Sequence, residues 1–437
     1  MKIEVVKTYI LVVLVAISLI LTFTIWTYKP NFDAIIDPKD KYINEEEFHL
    51  DGEVQTKKDI ITPESIIFQN AGKYFGFINP NEQNKLYEDM QTWAIYDFKL
   101  DESHRIPDDN FQVELRFPDT LPMEVLPSVF SFNEEPESLP SWSFRRVMIT
   151  FNDSKSIMYF HFLSIDGQRQ ATATVNNVTK YDLLKSYATN IDDFEEYTVF
   201  EDAKTPIFIP KHEKDAVRRS FTINMMNPKK LVNAMFYDPS LVSRNLSNED
   251  IAYYTDGKRQ MLVSPDRRYM EFTDPIQEDE IGLLRPLDVI DKSLANINEH
   301  KGWTNIYKLD ELDMQKNRIK YLMYYAGYPV FNTSLTAIEQ VWQGQSLFQY
   351  KRPLFKLNNS IVGEPVTLPS GQKVKQYLKG RTKYKLDQIE DIRIGYGVSY
   401  EDNASYIMIL DPAWFIKYNG NWIAINPDET ADSRGVS

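Results

Sequence analysis

Residues 253–275, YYTDGKRQMLVSPDRRYMEFTDP, read as a β-structure folded back on itself. Asp256-Gly257 is a strong turn signal, because Gly accepts positive φ without steric cost, and Ser264-Pro265-Asp266 is a second one. The runs beside these turns are rich in Tyr, Met, Val and Phe, so a meander of two or three strands is predicted. Helices are expected on either side. Asn227-Pro228 opens one, with Leu231, Ala234 and Met235 facing inward. Pro286 opens a longer one, in which Leu287, Ile290, Leu294 and Ile297 keep helical spacing and His300-Lys301 and Gly302 mark the end. An antiparallel meander between helices defines the class: α+β.

Working outward, the same class recurs. Downstream, Arg318–Tyr325 is predicted to be a strand leading into Ala326-Gly327-Tyr328-Pro329, and Leu335–Trp342 a short helix. Tyr406–Leu410 and Ala413–Tyr418 read as strands, with a hairpin about Asn419-Gly420 within Trp414–Ile425. Upstream, Asn79 is a predicted N-cap with Pro80 at the first helical position and Glu82 reaching back. Leu86, Met90, Trp93 and Asp97 follow at helical spacing. Phe111–Phe117 alternates at period two, Val147–Phe151 and Ile157–Phe162 form a hairpin, and a helix from Lys180 carries Tyr181, Leu184, Tyr187 and Ala188 on one face.

The chain's start is of another kind. Thr8–Tyr28 is a run of 21 residues without a charge. At about 1.5 Å of rise per residue it can cross a hydrocarbon core of roughly 30 Å. The run exceeds the apolar region of a signal peptide, and Thr24–Tyr28 is a poor cleavage site, so an uncleaved anchor is expected. Lys2 and Lys7 on one side, against a flank soon diluted by Asp33, Asp37 and Asp40, predict a cytoplasmic N-terminus and an extracytoplasmic body. On the helix, Leu11, Val15, Ser18, Thr22 and Ile25 share a face whose small polar pair would allow close helix approach. They form a candidate partner face. The expected organisation is a stub at 1–7, a transmembrane helix at 8–28 and an acidic juxtamembrane linker at 29–53. Three α+β domains then follow at 54–201, 202–303 and 304–437.

Composition narrows the functions. With 43% hydrophobic and 26% charged residues the chain is globular rather than disordered. The 26 Tyr and 25 Phe suit β-rich cores first, with a groove for peptides or sugars as the lesser reading. There is no Cys, hence no disulfide, thiol nucleophile or Cys-based zinc site. Beyond the anchor stand 47 basic and 62 acidic residues, which disfavours nucleic acid and anionic membrane surfaces as partners.

No catalytic set emerges. His49, His104, His161, His212 and His300 fall in no metal-ligand spacing, and His161 sits in an alternating strand as a core histidine. Gly395-Tyr-Gly-Val-Ser399 has the wrong order for a nucleophile elbow. A carboxylate dyad cannot be located among 63 acids. Arg145-Arg146 and Arg267-Arg268 read as solvated strand faces or local ion pairs, with binding of a carboxylate or phosphate as the other reading. No catalytic, metal or cofactor residue is assigned.

Four segments carry a resemblance: the anchor running into Trp26-Thr27-Tyr28-Lys29-Pro30; Tyr253–Gly257 with Tyr269–Phe272; Tyr325-Ala-Gly-Tyr-Pro-Val330; and Pro412-Ala-Trp-Phe-Ile-Lys-Tyr-Asn-Gly-Asn-Trp422. Their order over the whole chain resembles the YycH (WalH) family, regulators of the WalK/WalR (YycG/YycF) two-component system in low-GC Gram-positive bacteria. The resemblance implies one transmembrane helix and three extracytoplasmic α+β domains, the second and third similar to the partner protein YycI. It also implies association with YycI and the WalK kinase, and control of cell-wall metabolism without a catalytic motif. Whether the kinase is restrained or stimulated differs between organisms. Two alternatives stand beside a regulator: a sensor binding a cell-wall fragment, and a wall-active hydrolase using Asp/Glu.

Overall fold

The computed structural model describes residues 14, 15, 18, 19, 48–101, 110–187, 194–247, 249–275, 283–332, 335–400 and 406–429. Residues 48–437 form one unit and residues 1–47 another. Among the described residues no helix is long and apolar enough to cross a membrane. Of the expected span 8–28, Leu14, Val15, Ser18 and Leu19 are described, all in helix and all exposed.

The first ten strands make one sheet. They are β1 (Ser65–Asn70), β2 (Lys73–Phe77), β3 (Ala94–Asp101), β4 (Phe111–Pro122), β5 (Ser131–Phe132), β6 (Ser143–Asn152), β7 (Ile157–Ser164), β8 (Gln170–Val175), β9 (Phe194–Phe200) and β10 (Ile207–Pro210). Their order is β10-β9-β2-β1-β4-β6-β7-β8-β3-β5. Helices α1 (Pro80–Met90) and α2 (Val178–Ser186) accompany it. The predicted hairpin is present, with Val147 opposite Phe162 and Phe151 opposite Met158. Asn79 and Asn177 cap their helices as side-chain acceptors, for Asn81 N–H at 3.0 Å and Lys180 N–H at 3.1 Å. Two details differ from the sequence reading. Glu82 pairs with Lys85 at 2.8 Å instead of reaching back to the cap. Helix α1 ends at Met90, so Trp93 follows in the turn and Asp97 lies in β3 at φ 52°.

This sheet's core is aromatic. Phe117, Phe130, Phe144, Phe160 and Phe162 are fully buried, and edge-to-face pairs link them: Phe117–Phe144 at 5.7 Å, Phe144–Phe162 at 5.6 Å and Phe130–Phe160 at 6.5 Å. Such pairs add about 0.5–1.5 kcal/mol beyond area burial. His161 faces Thr150 Oγ1 at 3.0 Å in the buried part of β6–β7, as expected of a core histidine.

The remaining strands make a second sheet: β11 (Lys214–Met225), β12 (Ser243–Leu246), β13 (Ala252–Thr255), β14 (Gln260–Val263), β15 (Tyr269–Thr273), β16 (Ile306–Asp313), β17 (Arg318–Tyr325), β18 (Tyr328–Phe331), β19 (Ala337–Gln343), β20 (Ser346–Pro353), β21 (Phe355–Leu368), β22 (Ile389–Tyr400), β23 (Ile407–Tyr418) and β24 (Asn421–Ile425). Helices α3 (Pro228–Met235), α4 (Pro286–Glu299) and α5 (Gly371–Lys379) pack on it. The order β12-β13-β14-β15-β20-β19-β17-β18-β22-β23-β11-β21 joins two halves through β18, which meets β22 in parallel over two residue pairs. The 253–275 meander is present as β13–β15. A line at 303/304 runs inside this sheet, because β15 pairs with β20.

The segment expected as a helix at Leu335–Trp342 is strand from Ala337 on, with Leu335 and Thr336 in the turn before it. Ile338, Gln340 and Trp342 are buried in β19 while Glu339 and Val341 are half-buried, a period of two that the pairing to β17 and β20 fixes. The strands expected at Tyr406–Leu410 and Ala413–Tyr418 are one, β23, and Asn419-Gly420 turns it into β24 with φ 50° and 75°. Part of the acidic linker belongs to the fold. Leu50 is buried and donates its N–H to His300 O at 2.9 Å, and Gly52 N–H reaches Lys301 O at 3.1 Å. A Cβ on Gly52 would stand 2.4 Å from that oxygen, so only glycine fits there.

Candidate functional site

The two sheets meet at a junction that is polar. On the first sheet, Glu64 N–H donates to Arg116 O at 2.7 Å, and the β1–β4–β6 register brings Arg116 beside Ser65 and Arg146. On the second, Asp391 and Arg393 share one face of β22, with Ile392 buried on the other. The turn Ala326-Gly327 sets Tyr328 and Pro329 against the start of α1. A Cβ on Gly327, at φ 81°, would lie 2.6 Å from Pro80 Cβ, so the two sheets can approach only at a glycine.

These elements enclose a chamber of about 120 Å³ lined by both sheets. Arg393 is its centre. Its Nε donates to Asp391 Oδ2 at 2.7 Å, its Nη2 contacts Asp391 and Glu64, and its guanidinium lies 4.9 Å from the Trp422 ring. Asp391 Oδ1 also accepts the Ile392 N–H at 2.8 Å. Arg116 and Arg145 stand near Glu64 Oε1 at 4.0 and 3.9 Å, too far for hydrogen bonds. Side-chain exposure is 9% for Glu64, 12% for Arg393 and 33% for Arg145.

Burial and charge compete here. Burial raises the Glu64 pKa, and the attraction of Arg393, Arg145 and Arg116 does not fully offset it. At Asp391 burial acts the same way, but the charges of Arg393 and Arg145 and the hydrogen bonds from Arg393 and Ile392 outweigh it and the pKa falls. Two carboxylates thus grip one guanidinium with unequal acidity. As they touch the same nitrogen, they serve as counter-ions to Arg393.

A wider groove of about 690 Å³ lies beside the chamber. The two share Pro80, Glu195, Lys214 and Tyr328 as walls, so the Lys214–Glu195 pair (2.5 Å) stands between them. Lys214 also donates to Ile78 O at 2.6 Å. Burial raises the Glu195 pKa despite Lys214. Tyr325, Tyr328 and Tyr396 give the groove an aromatic side, with Tyr325–Tyr396 at 5.8 Å and Tyr328–Tyr396 at 6.1 Å.

A second buried cation lies elsewhere. Arg352 is fully buried and donates to Pro353 O at 3.1 Å and to Tyr350 OH and Thr304 Oγ1 at 3.0 Å. His300, at the end of α4, faces Tyr350 OH at 3.0 Å. Burial and the charge of Arg352 push its pKa down to about 3, so it is neutral and does not cap α4 as a cation.

Arg145-Arg146 divides. Arg146 pairs with Glu114 at 3.7 Å, as a local ion pair should, while Arg145 lines the chamber. In the other pair, Arg268 is buried with its guanidinium 3.5 Å from the Tyr400 ring. Of the candidate membrane face, Val15 and Ser18 are helical and exposed; Leu11, Thr22 and Ile25 lie outside the described residues. Among the described residues no group of acidic or histidine side chains could hold a metal ion. Sequence reasoning missed Glu64, Arg116, Asp391 and Arg393. A signal existed in Glu114-Leu-Arg116 and Asp391-Ile-Arg393: in each, opposite charges two apart occupy one face of a strand whose other face is apolar.

The comparisons agree with this architecture. The family described as YycH protein, N-terminal domain, matches residues 4–192, and that described as YycH protein, C-terminal domain, matches residues 204–430. The chain is 23% identical over 450 residues to the two-component system WalR/WalK regulatory protein YycH of Bacillus subtilis (strain 168), across 98% of this chain and 97% of that protein. The crystal structure of YycH from Bacillus subtilis shares the fold with a TM-score of 0.72 at 19% identity, covering 87% of this chain and all of that one. With both domain matches spanning most of its length, the chain belongs to the YycH family.

Proposed function

We propose that this chain is a regulatory protein of a WalR/WalK-type two-component system, acting by protein contact rather than by catalysis. The observation that carries the reading is its near full-length similarity to the Bacillus subtilis regulatory protein. In this proposal residues 8–28 anchor the chain in the cell membrane with the body outside. The partners are the WalK sensor kinase and a YycI-like protein, and the output is transcription of cell-wall genes. The mechanism is differential binding: contacts that favour one kinase state by about 1.4 kcal/mol change its ratio to the other about tenfold. The Leu11/Val15/Ser18/Thr22/Ile25 face is the proposed contact in the membrane.

The test replaces residues 8–28 with an unrelated apolar span. Co-purification of the kinase and WalR-dependent transcription are then measured. Loss of both with the chain still in the membrane supports the membrane contact. Unchanged output sinks it, and unchanged WalR-dependent transcription on deleting the whole gene sinks the regulatory reading itself.

A further inference from the structure

We propose that the chamber between the two sheets is a binding site for a ligand that ends in a free carboxylate, with Arg116 and Arg145 as the donors. This is independent of the regulatory reading. Charge favours an anion here. Arg116, Arg145 and Arg393 line the chamber with Glu64 and Asp391, while Arg146 pairs with Glu114 beside it and Lys214 and Glu195 neutralise one another. One positive charge is left. Glu390 borders the chamber with a further negative charge, but it is exposed and solvent screens it, and Asp310, whose charge reaches Arg393, is paired with Lys320 at 3.2 Å.

Geometry points the same way. Both acids at the centre turn their oxygens to Arg393. Arg116 then has its nearest carboxylate oxygens at 3.8 and 4.0 Å, and Arg145 at 3.9 Å. Neither distance is a hydrogen bond, although a guanidinium is a fork matched to a carboxylate. The Arg116 guanidinium stands over the Phe208 ring at 5.1 Å, and Arg145 Nε donates to Phe117 O at 3.0 Å. Both arginines line the chamber with no hydrogen bond to a carboxylate. In the same wall Arg393 Nη1 is buried without a hydrogen-bond partner, and such a donor is costly until an acceptor meets it.

Shape and valence narrow the ligand. The chamber's volume takes a carboxylate with a short body behind it, while the groove walled by Tyr325, Tyr328 and Tyr396 lies on the other side of the Lys214–Glu195 pair. A single excess positive charge matches a carboxylate and would be overcompensated by a phosphate dianion. A peptide C-terminus and a free small acid share this chemistry, so the test separates them.

The full-length chain in detergent micelles is titrated calorimetrically with Ala-Ala-Ala, with its C-terminal amide, with acetate and with inorganic phosphate. The expected result is binding of the peptide acid and competition by acetate, with the amide at least about tenfold weaker. Tighter binding of the peptide acid than of acetate identifies a chain end as the ligand, and equal binding identifies a free acid. Arg116→Gln and Arg145→Gln should each weaken binding about tenfold or more, and Arg381→Gln, a half-buried arginine outside the chamber's lining, should not change it. Arg145, one-third exposed, keeps the test valid if the Arg116 variant fails to fold. Equal binding of acid and amide, preference for phosphate over acetate, unaltered affinity in Arg145→Gln, or no acid bound at about 10 mM would overturn the assignment.

Discussion

The first sheet's aromatic core and the junction between the sheets are both buried, and they are built from opposite chemistries. In the core, Phe117–Phe144, Phe144–Phe162 and Phe130–Phe160 meet edge to face without a charge or hydrogen bond between them. At the junction, Glu64, Asp391 and Arg393 meet through directed, charge-assisted contacts, and Arg393 Nη1 is left over. Taking ions from water costs several kcal/mol each, which their attraction repays only with good geometry. The core therefore stabilises the fold by its presence, whereas the junction stabilises it only while its members stay matched. A region that costs as much to bury as it returns is a weak glue and a good site.

The largest effect that could break this contrast is in the core. Phe160→Ala should cost about 3–5 kcal/mol in chemical denaturation, and no second apolar-to-polar change should recover it. Arg393→Met alone should cost about 3 kcal/mol or more, because two carboxylates are stranded in a low-dielectric site. The triple variant Glu64→Gln, Asp391→Asn, Arg393→Met should regain most of that, since the charges leave together. A triple variant as unstable as the single one would erase the distinction between the two regions.

A smaller effect sharpens it. Lys308, on β16, is buried with Nζ donating to Asn84 Oδ1 at 2.8 Å, and burial lowers its pKa to about 8. Its folded pKa is below its unfolded one near 10.5, so between these values the unfolded chain holds more protons and stability rises with pH. Below about 8 the full cost of burying the cation is present. Lys308→Met should thus gain about 1–2 kcal/mol at pH 7 after loss of the Asn84 bond, and the gain should vanish above roughly pH 10.5. Urea titrations at pH 7 and pH 10.5 read both numbers.

How much of this was legible follows from the range of each interaction. Local chemistry is legible: the caps at Asn79 and Asn227, the Asp256-Gly257 turn and the Asn419-Gly420 hairpin are each decided within a few residues, whereas the helix expected from Lys180 starts at Val178 under an Asn177 cap that the spacing of its apolar face does not show. Leu335–Trp342 was misread because its alternation is visible only once β17 and β20 flank it. The site was the least legible part. Glu64 meets Arg393 across 329 positions of chain, a contact that no spacing encodes. Its halves were visible as opposite charges two apart in Glu114-Leu-Arg116 and Asp391-Ile-Arg393, but their meeting is set by the packing of one sheet on the other. Two segments that carried the family resemblance, 325–330 and 412–422, do reach the junction through Tyr328, Pro329, Trp414 and Trp422.

The central claim is that the junction serves binding while the aromatic core serves stability, and Arg145→Gln in the full-length chain tests it most directly. Thermal unfolding and Ala-Ala-Ala titration of the same sample are measured side by side. The account predicts a melting temperature within a few degrees of the parent and peptide affinity at least about tenfold weaker. A variant that melts far lower, or one that melts normally and binds unchanged, would contradict it.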